Sequence, residues 1–311
     1  MLRPTRETLC IRALIGLLAA GVILVLGACA SGPPPAPTKA VAVPAQQHAL
    51  VYPDVTTVSN IGYGTADGQP LLLDVCLPSD AAETSRPALI GVHGGSWRSG
   101  DKADQSWMGI CRWLASEGYV TVSVNYRLAP THTFPSQIVD VRQAVRWLRD
   151  PDQVSRYHVD PARIGAIGGS AGGNLVALLG TEGSGALDAG TRVAAVVDLS
   201  GPVDLTADGA ATSGFEQTQL SYLGCADYSN CPAAPEASPT YQVDASDPPF
   251  FIAHSTHEFI PLAQATQFVA ALRAHGVATT FVTTPGTKHA TAMLNDALRA
   301  QITEFFRSTL G

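Results

Sequence analysis

A serine lies in a glycine-rich segment whose residue types and spacing suit a nucleophile. The segment Gly168-Gly169-Ser170-Ala171-Gly172 matches G-x-S-x-G, the pattern of a nucleophile elbow. In such an elbow the serine lies on a strained turn between a strand and a helix, which requires small neighbours. Ser170 is therefore the first candidate nucleophile. The same pattern also fits a glycine-rich turn or a phosphate-binding loop at a helix N-terminus.

A serine nucleophile needs a base, and one histidine near the end of the chain has a suitable position. His289 follows the strand predicted at 279–283 and a short Pro285-Gly286-Thr287 turn. Ligands bind at the carboxyl ends of parallel strands, so residues that follow strands are the first to consider. The remaining histidines precede the sheet, lie in loops or at helix ends, or are expected to be structural: His48, His93, His132, His158, His254, His257 and His275.

The third member of such a triad is an acid, expected one strand before the histidine. Glu258 follows the preceding predicted strand and lies 31 residues before His289, which leaves room for one helix and one strand. Asp198 and Asp204, near the end of an earlier strand, are the alternatives. Asp247 comes before its strand, at the opposite end of the sheet. Glu258 is the predicted acid.

Glycines after another predicted strand suit an oxyanion hole. The segment is His93-Gly94-Gly95-Ser96-Trp97. Attack on a carbonyl creates an oxyanion that needs backbone N–H donors fixed in advance. Ala171 supplies one donor as the residue after the nucleophile. Gly94, Gly95 or the Ser96 amide supplies the other, and the sequence leaves this choice open. Together these residues predict acyl-transfer chemistry.

Strands and helices that alternate along the chain would position these residues. Strands are predicted at 88–92, 120–124, from Ile164 into the elbow, and at 193–199, 250–254 and 279–283; helices at 105–117, at 138–149 with Pro151 just past its end, from Ala171, and at 262–275 and 292–310. This alternation predicts an α/β fold with a mostly parallel twisted sheet and helices on both faces. Asp67-Gly68 predicts a hairpin of two antiparallel edge strands. The long segment 201–247 predicts a lid-like excursion or a wall of the site.

The first 28 residues have the features of an export signal. Three arginines precede an apolar run, 13–26, that is short for a membrane-spanning helix. The run ends in Leu26-Gly27-Ala28-Cys29, which resembles a bacterial lipobox, so Cys29 is the expected lipid-bearing first residue of the mature protein. The alternatives are an uncleaved anchor or cleavage at another small residue. A Pro/Ala-rich linker at 29–49 and a catalytic domain at 50–311 are expected to follow, exported and anchored to the outer face of a bacterial membrane.

The net charge limits the expected binding partners, and the number of cysteines suits an oxidising compartment. The chain has a net charge of −7, and without residues 1–28 it keeps 16 basic and 25 acidic residues, a net charge of −9. This acidity argues against nucleic acid, and leaves the lipid anchor as the expected membrane contact. Export permits disulfides. Cys225 and Cys231 are predicted to pair, whereas Cys76 and Cys111 form either a second bridge or two buried thiols.

No metal or cofactor is predicted. The histidines and carboxylates lack the spacing of a metal-binding motif. The glycines at 168–173 match the dinucleotide-binding pattern G-x-G-x-x-G only in part.

Several motifs in sequence order resemble those of α/β-hydrolases of the hormone-sensitive-lipase-like carboxylesterase group. They are His93-Gly94-Gly95, Tyr126-Arg127-Leu128-Ala129-Pro130, Asp160-Pro161-Ala162-Arg163-Ile164 leading into the elbow, and His289. The His-Gly-Gly-x-Trp variant is similar to the feruloyl and acetyl-xylan esterase-like branch. Three residues depart from the family pattern. Gly169 and Glu258 stand where aspartate is usual, and Ser96 replaces a third glycine.

The resemblance implies an α/β-hydrolase fold and a serine esterase that forms an acyl-enzyme. The expected substrates are small-molecule or glycan-linked carboxylic esters with a small or aromatic acyl group. An amidase, formamidase or peptidase on the same triad is the alternative enzyme. A silent binding module with this fold would be expected to lack a nucleophile, base or oxyanion turn, and the sequence contains candidates for all three.

Overall fold

A twisted sheet organises the residues that the computed structural model describes, which are 52–79, 84–210 and 215–311. Its eight strands within those ranges are β1 (Val55–Ala66), β2 (Gln69–Pro78), β3 (Arg86–Val92), β4 (Val120–Val124), β5 (Val159–Gly169), β6 (Ala195–Leu199), β7 (Phe250–Ser255) and β8 (Thr279–Thr284). They lie in the order β1-β2-β4-β3-β5-β6-β7-β8. The pairs β1/β2 and β2/β4 are antiparallel and the other five are parallel. The predicted α/β fold is confirmed.

Helices cover both faces of this sheet. In the described ranges they are α1 (Gln105–Ser116), α2 (Ser136–Arg149), α3 (Pro151–Tyr157), α4 (Ala171–Thr181), α5 (Ala207–Ala210), α6 (Glu216–Leu223), α7 (Ala233–Glu236), α8 (Leu262–Ala274) and α9 (Asp296–Leu310). Alternate residues of the central strands enter different hydrophobic clusters, because successive side chains of a strand point to opposite faces. Ile90 packs in the cluster with α2, α4 and α8, and Leu89 packs in the cluster with α1 and α9.

One short helix was missed in the sequence prediction and the start of another was placed wrongly, and capping chemistry explains both differences. Pro151 lies just past the end of α2, as predicted, but it also begins α3, where a proline is favoured because its missing N–H is not needed. The Asp150 side chain caps this helix by accepting the N–H of Asp152. The closing helix starts at Asp296 rather than at 292, since the Asn295 side chain caps it there.

The predicted hairpin at Asp67-Gly68 is present, but only one of its strands lies at an edge. β2 pairs with β1 on one side and with β4 on the other. Residues 71 and 73–76 of β2 are buried accordingly. β1 therefore forms one edge of the sheet and β8 forms the other.

The long excursion between β6 and β7 packs over the carboxyl end of the sheet. Tyr222 of α6 is fully buried and stacks on Trp97, with ring centroids 4.2 Å apart. Phe215 packs between Trp97 and Phe259. Within its described part, the excursion is thus a wall beside the predicted site.

Both cysteine pairs in the described ranges form disulfides. Cys225 and Cys231 pair as predicted. Cys76 of β2 and Cys111 of α1, which the sequence left open, also pair and are buried. The second bridge joins the antiparallel part of the sheet to a helix on its face.

The Cys76–Cys111 bridge is expected to contribute more to stability than the Cys225–Cys231 bridge. Their sequence separations are 35 and 6 residues. Because a longer closed loop removes more entropy from the unfolded chain, replacing each pair by alanine should cost about 4 and about 2 kcal/mol of unfolding free energy, respectively. Urea unfolding without reductant measures both values. A larger loss for the Cys225 and Cys231 pair would contradict this ranking.

The export signal at 1–28, the linker at 29–49 and the lipidation residue Cys29 lie outside the described residues. Among the helices of the described part, none is both long and apolar enough to cross a membrane.

Candidate active site

Ser170 lies between β5 and α4 in a conformation that few non-glycine residues adopt. Its φ is 56° and its ψ is −125°. The surrounding glycines are required by close backbone packing. A Cβ on Gly168 would lie 2.1 Å from the carbonyl oxygen of Gly172, and a Cβ on Gly172 would lie 2.1 Å from that of Val92. The sequence pattern therefore encodes a tight strand-to-helix turn that leaves Ser170 half-buried at the carboxyl end of the sheet.

The glycines after β3 form a loop that lies against this turn. A Cβ on Gly94 would be 2.8 Å from the carbonyl oxygen of Gly169 and 3.1 Å from the Ser170 Cβ. Gly95 has a φ of 115°, and a Cβ there would lie 2.1 Å from the Ser99 carbonyl oxygen. Both positions thus require glycine, and the loop brings backbone close to the serine.

Trp97 and His93 hold this loop in place. The buried indole of Trp97 donates its Nε1–H to Asn174 Oδ1 of α4, at 3.2 Å. His93 is buried, as expected of a structural residue, and its Nδ1 hydrogen-bonds the carbonyl oxygen of Gly94 at 2.7 Å. The Tyr126 hydroxyl donates to the His93 carbonyl oxygen at 2.8 Å. The loop and the helix behind the serine are therefore joined through side chains.

His289 and Glu258 meet at the carboxyl ends of β7 and β8. The His289 Nδ1 contacts Glu258 Oε2, and this nitrogen is the donor because an ionised carboxylate only accepts. The proton is thereby placed on Nδ1, which leaves Nε2 free to accept one. Within the described chain, Nε2 is buried and has no hydrogen-bond partner.

The Glu258 side chain is fully buried but stays ionised. Burial alone would raise its pKa, but hydrogen bonds from His289 and Ser200, together with the nearby His254, hold the pKa below its usual value. Its Oε1 accepts the Ser200 hydroxyl at 2.7 Å and the Ser255 N–H at 3.1 Å. An ionised carboxylate in this position can stabilise a protonated His289.

The two alternative aspartates, Asp198 and Asp204, make other contacts, and so does Asp247, which was set aside. Asp198 is buried and accepts the Gly201 N–H at 2.8 Å, and burial raises its pKa to about 7. Asp204 accepts from Thr206. Asp247 accepts the N–H of Asp244, at the other end of β7. Of the four carboxylates, the structure places Glu258 against the histidine.

One open cleft of about 530 Å³ brings the predicted residues together. It is lined by Gly94, Gly95, Ser96, Ser99, Gly100, Asp104, Ser106, Trp107, Ser170, Phe259, His289, Ala290 and Thr291. Ala171 is buried directly behind the serine as the first residue of α4. The first N–H groups of a helix lack intrahelical acceptors, so the Ala171 amide is available to an oxyanion. Within the described residues, no group of three histidine, cysteine or carboxylate side chains is arranged to hold a metal.

Sequence reasoning missed two residues of the site. Phe259 is 48% exposed and packs against the His289 ring, with the centroids 4.3 Å apart and the ring planes tilted by 47°. Ser200 is fully buried and donates to Glu258. Ser200 directly follows β6, so the rule that selected Ser170 and His289 could have found it. No periodicity or motif indicates the exposure of Phe259.

The sheet, the elbow and the Ser-His-Glu arrangement define an α/β-hydrolase. The family model BD-FAE matches residues 73–272, more than half of the chain, and the chain belongs to that family. This confirms the resemblance that the motifs indicated.

Curated relatives and solved structures agree with this assignment. Two relatives from Mycobacterium tuberculosis (strain ATCC 25618 / H37Rv) are the probable carboxylic ester hydrolase LipM, 31% identical over 80% of this chain, and the esterase LipQ, 34% identical over 75%. The chain spans only 60% and 56% of their lengths. A truncated carbohydrate esterase from gut microbiota is 26% identical, with a TM-score of 0.70 over 82% of this chain and 96% of that one.

Proposed function

We propose that this chain is a serine carboxylesterase that hydrolyses carboxylic esters through an acyl-enzyme. The observation that carries the proposal is the cleft in which Ser170, His289 and the glycine loop meet, with Glu258 holding the far side of the imidazole. The relatives named as ester hydrolases and esterases support the same activity.

In the proposed reaction, His289 Nε2 takes the hydroxyl proton of Ser170 as the oxygen attacks the ester carbonyl. The Ala171 amide and an amide of the glycine loop stabilise the resulting oxyanion. Collapse of the intermediate breaks the bond to the alcohol, which leaves with the proton from His289. Water, deprotonated by the same imidazole, then attacks the acyl-enzyme and releases the acid and the free serine.

A fluorophosphonate probe tests this proposal directly, because it reacts with an activated serine. The expected result is one adduct per chain, located by mass spectrometry on the peptide that contains Ser170. Hydrolysis of p-nitrophenyl acetate should be lost in proportion to labelling. An unlabelled protein without esterase activity would overturn the proposal.

The cleft supports small-molecule or glycan-linked esters with a small or aromatic acyl group as substrates. Phe259 offers an exposed aromatic face beside the base, which can stack on a planar group. Ser99, Asp104 and Ser106 add polar groups that can hydrogen-bond sugar hydroxyls. The carbohydrate esterase among the structural relatives is consistent with the second class.

Replacing Phe259 with alanine is expected to lower kcat/KM for methyl cinnamate about tenfold, because an aromatic pair contributes about 0.5–1.5 kcal/mol beyond burial. The loss for ethyl acetate should be smaller, since an acetyl group cannot stack. Initial rates with both esters measure the difference, and Phe259→Leu serves as the control that keeps an apolar side chain. Equal losses with both esters would show that Phe259 acts on His289 rather than on the acyl group.

We also propose that the protein is exported and lipid-anchored through Cys29. Disulfides persist in oxidising compartments, and the two bridges of the described chain support export.

A further inference from the structure

Ser200 occupies a position where the backbone alone would favour glycine. It directly follows β6, is fully buried and has a φ of 57°. A serine in this left-handed region is strained, whereas a glycine is not. Its hydroxyl contacts Glu258, the Ala290 amide and, at 3.8 Å, the Met293 sulfur, and glycine could provide none of these contacts.

The Ser200 hydroxyl connects the acid to the backbone that carries the base. It donates to Glu258 Oε1 at 2.7 Å and accepts the N–H of Ala290 at 3.1 Å. Ala290 directly follows His289 and also has a positive φ, 49°. A hydroxyl has one proton to donate. Here it goes to the carboxylate, because the Ala290 amide is itself a donor and the Met293 sulfur, 3.8 Å away, is only a weak acceptor.

The backbone around Ser200 reaches the nucleophile as well. The N–H of Ser200 donates to the Ala253 carbonyl oxygen of β7 at 2.9 Å. The carbonyl oxygen of the preceding Leu199 accepts the N–H of Ser170 at 2.9 Å. The last residue of β6 therefore hydrogen-bonds the nucleophile Ser170. The side chain of the next residue, Ser200, hydrogen-bonds the acid Glu258 and the backbone directly after His289.

We propose that Ser200 is a positioning residue that fixes Glu258 and His289 relative to each other and to Ser170. This inference rests on the proposed esterase function. Ser200 is not among the residues that line the cleft, so it acts through the triad and not on the substrate. Without its hydroxyl, Glu258 loses a donor and the Ala290 amide loses its acceptor. Both groups are then free to shift, and a displacement of about 1 Å can cost about 100-fold in rate.

The test compares Ser200→Ala and Ser200→Gly, which both lack the hydroxyl but differ in backbone strain. Each should lower kcat by about 10- to 100-fold and leave KM within about twofold. The melting temperature of the glycine variant should be higher than that of the alanine variant, because glycine relieves the strain at this φ. A purely structural role predicts instead that kcat follows the melting temperature, so that the glycine variant is the more active of the two.

Ser238→Ala is the matched control. Ser238 is also fully buried, and its hydroxyl likewise accepts one backbone N–H, from Leu205, and donates to one oxygen, of Ala234, each at 2.7 Å. This variant should melt at a lower temperature with an unchanged kcat. Wild-type kcat in both Ser200 variants, or a loss confined to Ser200→Ala, would overturn the positioning role and leave the esterase proposal intact. An inactive wild type would remove both.

Discussion

Ser170→Ala is expected to reduce kcat for p-nitrophenyl acetate by about 10⁶-fold, the scale seen when a triad serine is removed. In the proposed reaction the Ser170 hydroxyl oxygen forms the bond to the acyl group, so its removal leaves no atom to form the acyl-enzyme. The remaining activity would come from the oxyanion donors alone. Stopped-flow or long-time-course absorbance at the nitrophenolate band measures the difference.

The fold of the Ser170→Ala variant serves as its internal control. Alanine keeps a Cβ at a φ of 56°, so the strain of the turn is retained and the melting temperature should change little. Fluorophosphonate labelling should disappear together with turnover. A Ser170→Ala protein that hydrolyses esters at the wild-type rate would remove this residue from the mechanism.

Glu258→Gln is expected to reduce kcat by about 10⁴-fold, as for a triad whose acid is replaced by its amide. The hydrogen bonds around Oε1 explain why. The Ser255 N–H and the Ser200 hydroxyl both donate to that oxygen, so the amide carbonyl of a glutamine must occupy its position. The glutamine NH₂ then faces His289 Nδ1, which must accept. The imidazole proton moves to Nε2, where it blocks removal of the Ser170 proton.

Asp198→Asn is the matched comparison for this prediction. Asp198 also lies near the carboxyl end of a strand and was a candidate acid. Its carboxylate accepts a hydrogen bond from the Gly201 N–H and not from the histidine. Burial raises the pKa of Asp198 to about 7, so this carboxyl group is protonated in a large share of the molecules at neutral pH. Asparagine resembles that protonated form. We expect its kcat to stay near that of the wild type. The reverse pattern, with Asp198→Asn impaired and Glu258→Gln active, would reassign the acid.

The central strands could be predicted from sequence because their apolar runs reflect burial on both faces. β4 was predicted with the bounds that the structure has, 120–124, and all five of its residues are buried. Boundaries governed by capping were less predictable. A proline is common both just after a helix and as the first residue of one. The hydrogen bond from the Asp152 N–H to the Asp150 side chain shows that Pro151 begins α3.

Within the candidate site, residues whose backbone conformation depends only on near neighbours in the chain could be identified from sequence. The elbow around Ser170 and the glycines after His93 follow from steric limits within a few residues, and the position of His289 follows from strand order. Strand order favours Glu258 over Asp198 as the acid, but the contact itself is seen only in the folded chain, because it depends on which carboxylate reaches the imidazole from a neighbouring strand. The same holds for Ser200, whose hydroxyl meets partners 58 and 90 residues away along the chain. Such contacts arise only when the ends of β6, β7 and β8 lie side by side in the sheet.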